Sequence, residues 1–313
     1  MTTLEGPPHV EQLDRRPLLG YGFYLLAATL FALNGTVSKV ILEHGIPWYR
    51  LSELRVTLAF LILLVWVSIT NRPALRLRRT EVLPIILYGT LGIAMTQSLY
   101  LVALQRMPIG IALLIEFTAP IMVALWFKFV LKEPVRNRVF AALVLAMVGL
   151  GMVAQVWAGL TLDAIGVLAG FVAAVALAFY FLQGEKLVAE RDPISLVMYG
   201  FAAAAVLWAI LCPWWSFPWD QLGFSAAFGD TGPMLPAWTY VGYMVVFGTV
   251  IPFALVLASM KHIRASQASV VGMTEPVIAS AIAWVVLGEA LAPVQVIGGM
   301  VVLVGIVLAE TAR

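Results

Sequence analysis

Charged residues are scarce in this sequence. Only 12% of its 313 residues are Asp, Glu, Lys or Arg, 62% are apolar, and the mean hydropathy is +0.97. Soluble domains average about a quarter charged residues, and 19 basic with 17 acidic side chains are too few to cover a soluble core of this size. The composition therefore excludes a soluble enzyme. It also excludes a disordered chain, because disordered segments are poor in apolar residues.

Groups that hold metals or carry out catalysis are scarce as well. Cys212 is the one cysteine, so the chain can form no internal disulfide and no cysteine-rich zinc site. His9, His44 and His262 are far apart in sequence and lack the spacing of metal ligands. The P-loop lysine motif, HEXXH and GxSxG are all absent. We therefore expect no enzymatic activity, no cofactor, no metal ion and no nucleic-acid partner.

Long apolar runs are what the sequence does have. A transmembrane helix needs about 20 predominantly apolar residues, and ten runs are of about this length. They leave an N-terminal tail at 1–17 and no room for a soluble domain. The predicted fold class is an all-α integral membrane protein with ten transmembrane helices, at 18–41, 48–70, 82–104, 109–130, 138–158, 164–184, 194–213, 237–260, 266–287 and 293–310.

Lys and Arg concentrate in alternate loops. With the N-terminus inside, fifteen of the nineteen fall on the cytoplasmic side, three fall outside, and Arg55 falls within a helix. Cytoplasmic loops carry the excess of Lys and Arg in membrane proteins, so both termini are predicted to be cytoplasmic, in an inner or plasma membrane. The run at 18–41 is too long for the apolar part of a signal peptide, and we interpret it as a retained helix.

The chain repeats itself at an offset of 156 residues. Pro120 then falls on Pro276 and Glu133 on Glu289, and the match covers the third to fifth and the eighth to tenth helices. The first two helices match the sixth and seventh only loosely. Each half has five helices, and because five is odd the second half is expected to be inverted in the membrane. Inverted repeats let secondary transporters expose one site alternately to each side; a duplicated bundle without a transport role is the alternative.

The repeated blocks also carry a family resemblance. FTAPIMVALWFKFVLKEP at 117–134 and MTEPVIASAIAWVVLGEA at 273–290 resemble the tandem EamA repeats of the drug/metabolite transporter superfamily. ALQRMPIGIALLIEFTAP at 103–120 resembles the threonine/homoserine exporter branch, and Arg55 on the second helix fits the family's habit of an Arg there. The resemblance implies two EamA-like repeats at 18–158 and 164–310, a central cavity, and export of amino acids or other small amphipathic metabolites.

One feature departs from related pumps. Small multidrug pumps of the superfamily couple protons through a carboxylate on the first helix, whereas the first helix here has Asn34 and Lys39 but no acid. Any proton coupling is therefore expected to use an acid on another helix.

Three ionisable residues fall deep within the predicted helices. At a rise of 1.5 Å per residue, Arg55 and Glu116 lie about 10 and 12 Å from the outer interface, and Glu275 about 13 Å from the inner one. Such groups are costly in a membrane and are usually functional. Arg55 and Glu116 are predicted to form an ion pair, which is either structural or opens when Arg55 takes a substrate carboxylate. Glu116 and Glu275 are candidates for binding a substrate ammonium or a coupled proton.

Other residues are assigned by chemistry and position. Glu53, two residues from Arg55, is interpreted as structural and as reaching lipid headgroups, while Glu133 and Glu289 are expected to cap helices or contact basic loops. Pro120 and Pro276 are expected to kink their helices, either beside a substrate site or for packing alone. Candidates for a polar cavity lining, or alternatively for hydrogen bonds between helices, are Asn34, Gln97, Tyr100, Tyr180 and Gln183. Close helix approach is expected at Gly92, Gly149, Gly248 and Gly305.

Together these patterns predict a secondary transporter that works by alternating access, surrounded by lipid. The leading cargo is an amino acid such as threonine or homoserine, and the leading direction is export. The alternatives are an efflux pump for drugs or other cations and a structural or sensory membrane protein. The sequence leaves open whether the transporter is a monomer or a homodimer.

Overall fold

A computed structural model describes residues 16–157, 163–227, 233–287 and 291–312. These ranges are almost entirely helical, and the predicted Glu289 and most of the N-terminal tail lie outside them. The α-helices are α1 (Pro17–Glu43), α2 (Trp48–Thr70), α3 (Arg79–Leu87), α4 (Met95–Arg106), α5 (Ile109–Glu116), α6 (Ala119–Phe129), α7 (Asn137–Val153), α8 (Ala164–Glu190), α9 (Pro193–Leu211), α10 (Ala237–Val245), α11 (Ile251–Met260), α12 (Ala265–Gly272), α13 (Glu275–Leu287) and α14 (Pro293–Thr311).

Several of these helices join into longer membrane-crossing segments. A first π segment (Tyr88–Ala94) connects α3 to α4, and a second π segment (Val246–Val250) connects α10 to α11. Eight segments are long and apolar enough to cross a bilayer, and the shorter α7 and the interrupted pair α12–α13 bring the number of helical segments to the predicted ten. The chain is therefore an all-helical membrane protein with eight clear apolar spans.

A short pair of strands was not predicted. β1 (Ser225–Ala227) pairs antiparallel with β2 (Met234–Pro236), with Ala226 opposite Leu235. The Tyr240 hydroxyl donates a hydrogen bond to the Ala226 carbonyl at 2.9 Å, which ties β1 to α10. Neither strand is longer than three residues, and so neither gives a detectable alternating pattern in the sequence.

Several helix ends in the later segments of each half follow the 156-residue offset. Shifted by that number, the bounds of α5 coincide with those of α12, and the start of α7 coincides with the start of α14. The two π segments end at equivalent residues, Ala94 and Val250, and the breaks after Glu116 and Gly272 also coincide. The sequence repeat therefore corresponds to a structural repeat, which includes the π segments and the helix breaks.

Packing between the halves follows the same duplication. α1 packs on α11 of the other half and its counterpart α8 packs on α4, while α2 packs on α9 and α7 on α14. Close approach in the last pair requires glycine: a Cβ on Gly149 would lie 2.7 Å from the Gly298 carbonyl oxygen, and a Cβ on Gly305 would lie 2.8 Å from Ala146. The predicted role of Gly149 and Gly305 in close packing is confirmed.

Ion pairs tie together the loops at the face that is rich in Lys and Arg, which we call the basic face. Arg264 donates two hydrogen bonds to Glu133, at 2.7 and 2.8 Å, and lies 3.7 Å from a carboxylate oxygen of Glu185. The bonds to Glu133 raise the pKa of the Arg264 guanidinium. Arg191 likewise pairs with Glu81 at 2.9 Å. The prediction that Glu133 contacts a basic loop is confirmed.

At the opposite face, Glu53 corrects one interpretation. Its side chain is fully buried and accepts a 2.7 Å hydrogen bond from Arg50, so it does not reach lipid headgroups. Arg50 also donates to the Ser216 hydroxyl at 2.6 Å and to the Ser216 carbonyl at 3.1 Å. The loop after α9 thus covers the start of α2, in a contact between residues 166 apart in sequence. The depth of Glu53 along α2 does not indicate this contact. Glu53 is structural, as expected, but by an internal ion pair.

Candidate functional site

A small cavity lies where the two halves meet, among the helices that carry the predicted ionisable residues. Its volume is about 100 Å³, below the roughly 300 to 1,000 Å³ of pockets for drug-sized ligands. The first half contributes α1, α2, the first π segment, α4 and α5, and the second half contributes α8, α11 and α13. The structure places seven of the eight predicted cavity residues on its wall, namely Asn34, Arg55, Gln97, Tyr100, Glu116, Tyr180 and Glu275. The eighth, Gln183 on α8, does not line this cavity.

Arg55 does not form the predicted ion pair with Glu116. Its side chain is 3% exposed, and Nε donates to the Thr249 hydroxyl at 2.6 Å while Nη2 donates to the Gly248 carbonyl at 2.9 Å. No carboxylate oxygen of a described residue lies within 4.0 Å of its guanidinium. The prediction was wrong because depth along a helix does not give direction around it, and Arg55 turns to the second π segment.

Glu116 and Glu275 stand at opposite kinds of helix end. Glu116 is the last residue of α5, where carbonyl groups give a partial negative charge, and Glu275 is the first residue of α13, where N–H groups give a partial positive charge. Neither carboxylate has a hydrogen bond or ion pair with another described residue. Both interact electrostatically with Arg55 across the cavity. The cavity therefore presents one cation and two acids that are not paired with one another.

The two prolines interrupt the helices beside these acids. Thr118 precedes α6 and Pro120 is the second residue of α6, while Pro276 is the second residue of α13. The hydroxyls of Thr118 and Thr274 donate 2.7 Å hydrogen bonds to carbonyls three residues earlier, which satisfies backbone groups at the breaks. The spans predicted as continuous at 109–130 and 266–287 are thus pairs of short helices, broken and not only kinked.

Several other polar groups on the wall have no partner in the described part of the protein. Both amide atoms of Gln97, the Thr96 hydroxyl and the Asn34 carbonyl oxygen are buried without a hydrogen bond to protein. Buried polar groups normally have partners, so a polar molecule in the cavity would satisfy them. Aromatic rings complete the wall. The Phe253 ring makes edge-to-face contacts with the rings of Phe31 and Tyr180, at distances of 5.4 and 5.6 Å between ring centroids.

Sequence reasoning missed three residues of this site. Tyr24 and Thr96 line the cavity, and the Thr249 hydroxyl, outside the cavity wall, accepts a hydrogen bond from Arg55. The offset of 156 contained a signal for Thr249, because it falls on Ile93: a polar residue replaces an apolar one within an otherwise apolar helix. Of the seven predicted residues, the structure shows position only, and their roles remain predictions.

Similarity to known proteins agrees with this architecture. The sequence profile described as the EamA-like transporter family matches residues 18–155 and 164–311. The chain belongs to the EamA-like transporter family, within the drug/metabolite transporter superfamily, and it is a membrane transporter and not an enzyme. This assignment goes against the structural or sensory alternative.

Individual relatives are distant. The chain is 26% identical over 284 residues to an uncharacterized transporter of Archaeoglobus fulgidus, covering 88% of this chain and 92% of that one. It is 26% identical over 250 residues to the threonine/homoserine exporter RhtA of Escherichia coli K12, covering 79% and 76%. The uncharacterized inner membrane transporter YicL of Salmonella typhimurium is 21% identical over 289 residues, covering 91% and 92%.

A solved structure shares the fold. A crystal structure of a protein 20% identical in sequence superposes with a TM-score of 0.72 and covers 94% of this chain and 96% of that one. At this identity the likeness concerns the fold alone.

Proposed function

We propose that this chain is an inner-membrane secondary transporter that exports small zwitterionic amino acids, with threonine and homoserine as the leading cargo. The observation that carries the proposal is the charge arrangement in the cavity between the halves. One guanidinium and two carboxylates, from three helices, line about 100 Å³ without pairing with one another. The similarity to a threonine/homoserine exporter supports the choice of cargo.

The cavity groups fit the two ends of an amino acid. A guanidinium has five N–H donors, and Arg55 uses two on Thr249 and Gly248, which leaves three for a substrate carboxylate. Glu116 suits the ammonium group, because the carbonyl end of α5 adds partial negative charge at the same place. Glu275 is then the second acid, available to balance the charge of Arg55 or to carry a coupled proton.

The broken helices support alternating access. Transporters with inverted repeats often place the substrate beside discontinuous helices near the middle of the membrane. Here the interruptions between α5 and α6 and between α12 and α13 both lie beside cavity acids. Five segments in each half are consistent with opposite orientations of the halves, and the excess of Lys and Arg at the basic face supports a cytoplasmic position for that face and for both termini.

The proposal is tested by comparing the medium of cells that express different forms at matched membrane abundance. Untargeted analysis should find one or more amino acids accumulating with the native protein and lost in Glu116→Gln and Arg55→Gln. Glu190→Gln is the matched control, because Glu190 is exposed at the end of α8, away from the cavity. Equal medium composition for native protein and both cavity variants would contradict amino-acid export.

A pump for organic cations is the second candidate. The cavity has two acids against one cation and several aromatic faces, which favours a cationic ligand. Its small volume and the unused donors of Arg55 favour an amino acid instead. Resistance of expressing cells to a quaternary ammonium compound, lost in Glu275→Gln and unaccompanied by amino-acid efflux, would support the cation pump.

A further inference from the structure

Thr249 is buried behind the cavity and contacts the one cation of its wall. It is fully buried and does not line the cavity, yet its hydroxyl accepts the 2.6 Å hydrogen bond from Arg55 Nε. The same hydroxyl donates at 2.7 Å to the Met244 carbonyl, five residues earlier. A hydroxyl has one proton, so donation to Met244 fixes Thr249 as an acceptor for Arg55.

Gly248 accepts the second hydrogen bond from the same guanidinium. Its carbonyl accepts from Arg55 Nη2 at 2.9 Å. A Cβ at this position would collide with the Asn34 side-chain oxygen and lie 3.1 Å from Asn34 Cβ, so a larger residue would displace Asn34 where α1 packs against the second π segment. Two acceptors on consecutive residues therefore fix the plane of the guanidinium, and Nη1 has no hydrogen-bond partner among the described residues.

The equivalent place in the other half has no such contact. The offset of 156 puts Gly92 and Ile93 where Gly248 and Thr249 stand. Gly200 occupies the eighth position of α9 as Arg55 does of α2, and a Cβ on Gly200 would lie 2.6 Å from the end of the Ile93 side chain. An apolar contact between helices is therefore sufficient to pack this joint. The hydroxyl in the second half requires another explanation.

We propose that Thr249 is a positioning residue for substrate: it holds the Arg55 guanidinium so that its unused donors, Nη1 foremost, meet the carboxylate of a bound amino acid. This inference rests on the proposed function and assigns a specific step to it, the recognition of the carboxylate. Without Thr249, Arg55 keeps its charge but loses its fixed orientation. Because two parallel hydrogen bonds to a carboxylate depend on orientation, affinity for the carboxylate falls.

Exchange kinetics in proteoliposomes test this role. Purified Thr249→Val, Thr249→Ser and Thr90→Val are compared with native protein for exchange of labelled L-threonine, and for its inhibition by 1-aminopropan-2-ol, which lacks the carboxylate. Thr90→Val is the matched control, because Thr90 lies in the first π segment and its hydroxyl bonds only the Ile86 carbonyl. We expect Thr249→Val to raise KM for threonine about tenfold with kcat changed less than about twofold.

The other arms separate positioning from stability. Thr249→Ser and Thr90→Val should keep the native KM, and inhibition by the amine should be the same in native protein and Thr249→Val. An unchanged KM in Thr249→Val, or equal losses for threonine and for the amine, overturns the positioning role while the proposed function stands. No threonine exchange by native protein overturns both. If Thr249→Val does not purify as a single species, Thr249→Ala replaces it with the same expectations.

Discussion

The third transmembrane segment of each half contains a π segment, but only the second π segment contacts Arg55, the cation of the cavity wall. The first π segment packs against Gly200 through the apolar side chain of Ile93, and the second offers a hydroxyl and a carbonyl to Arg55. The last residues of the two π segments, Ala94 and Val250, coincide under the 156-residue offset, so the irregular backbone is common to both halves. The polar contact belongs to the site.

The same contrast extends around the cavity. Gln97 and Tyr100 line it from the first half, and the offset puts Phe253 and Val256, which also line it, in the equivalent places. Each charged group likewise corresponds to a small uncharged residue in the other half. The offset matches Glu116 with Gly272 and Glu275 with Ala119, and Gly200 is the eighth residue of α9 as Arg55 is of α2. The two halves therefore share a similar backbone, while the side chains that line the cavity differ at equivalent positions.

Replacing glycine by alanine in the two π segments should reveal the largest difference in stability between the halves. A Cβ on Gly248 would collide with Asn34, whereas a Cβ on Gly92 would lie 3.4 Å from Tyr180 Cα, which is ordinary contact. We expect Gly248→Ala to lower the free energy of unfolding by about 3 kcal/mol and Gly92→Ala to change it by less than about 1 kcal/mol. Thermal unfolding of the purified variants measures the difference. Equal stability of the two would show that α1 and the second π segment separate easily.

A pair of ion-pair variants compares a contact within one half with a contact between halves. Glu53→Gln leaves Arg50 charged and buried without its partner, at a cost of about 3 kcal/mol. Glu133→Gln removes a partly exposed partner of Arg264, which should cost less than about 1 kcal/mol. Unfolding midpoints should therefore fall clearly for Glu53→Gln and little for Glu133→Gln. The reverse order would mean that the basic face contributes more to stability than the covered start of α2.

The smallest expected effect concerns the polar side of the cavity. Gln97→Leu makes this wall more like its apolar counterpart, and we expect it to reduce threonine exchange about tenfold because a hydrogen-bonding group is lost. Ser98→Ala is the control: Ser98 is equally buried and next in sequence but does not line the cavity. Exchange rates at matched protein content decide the matter. Equal losses in both variants would point to a general packing defect in α4.

The sequence was sufficient for the helices and the repeat, and for the set of cavity residues but not for their partners. The lengths of the apolar runs and the 156-residue offset can be observed in the amino-acid sequence alone, so the ten segments and the two halves could be predicted. The contact between Arg55 and Thr249 could not be predicted, because the direction of the Arg55 side chain around the axis of α2 depends on how α2 packs against the second π segment. Burial of Glu53 depends likewise on Ser216, far away in sequence. The helix breaks at Thr118 and Thr274 required the prolines to be interpreted as starts of helices.

We propose that the cavity between the halves binds an amino acid through Arg55 and Glu116. Equilibrium binding of labelled L-threonine to purified protein tests it most directly, with Arg55→Gln, Glu116→Gln and Glu190→Gln as variants. We expect saturable binding to native protein and to Glu190→Gln, with affinity at least about tenfold weaker in both cavity variants. Saturable binding that is the same in native protein, Arg55→Gln and Glu116→Gln would contradict it.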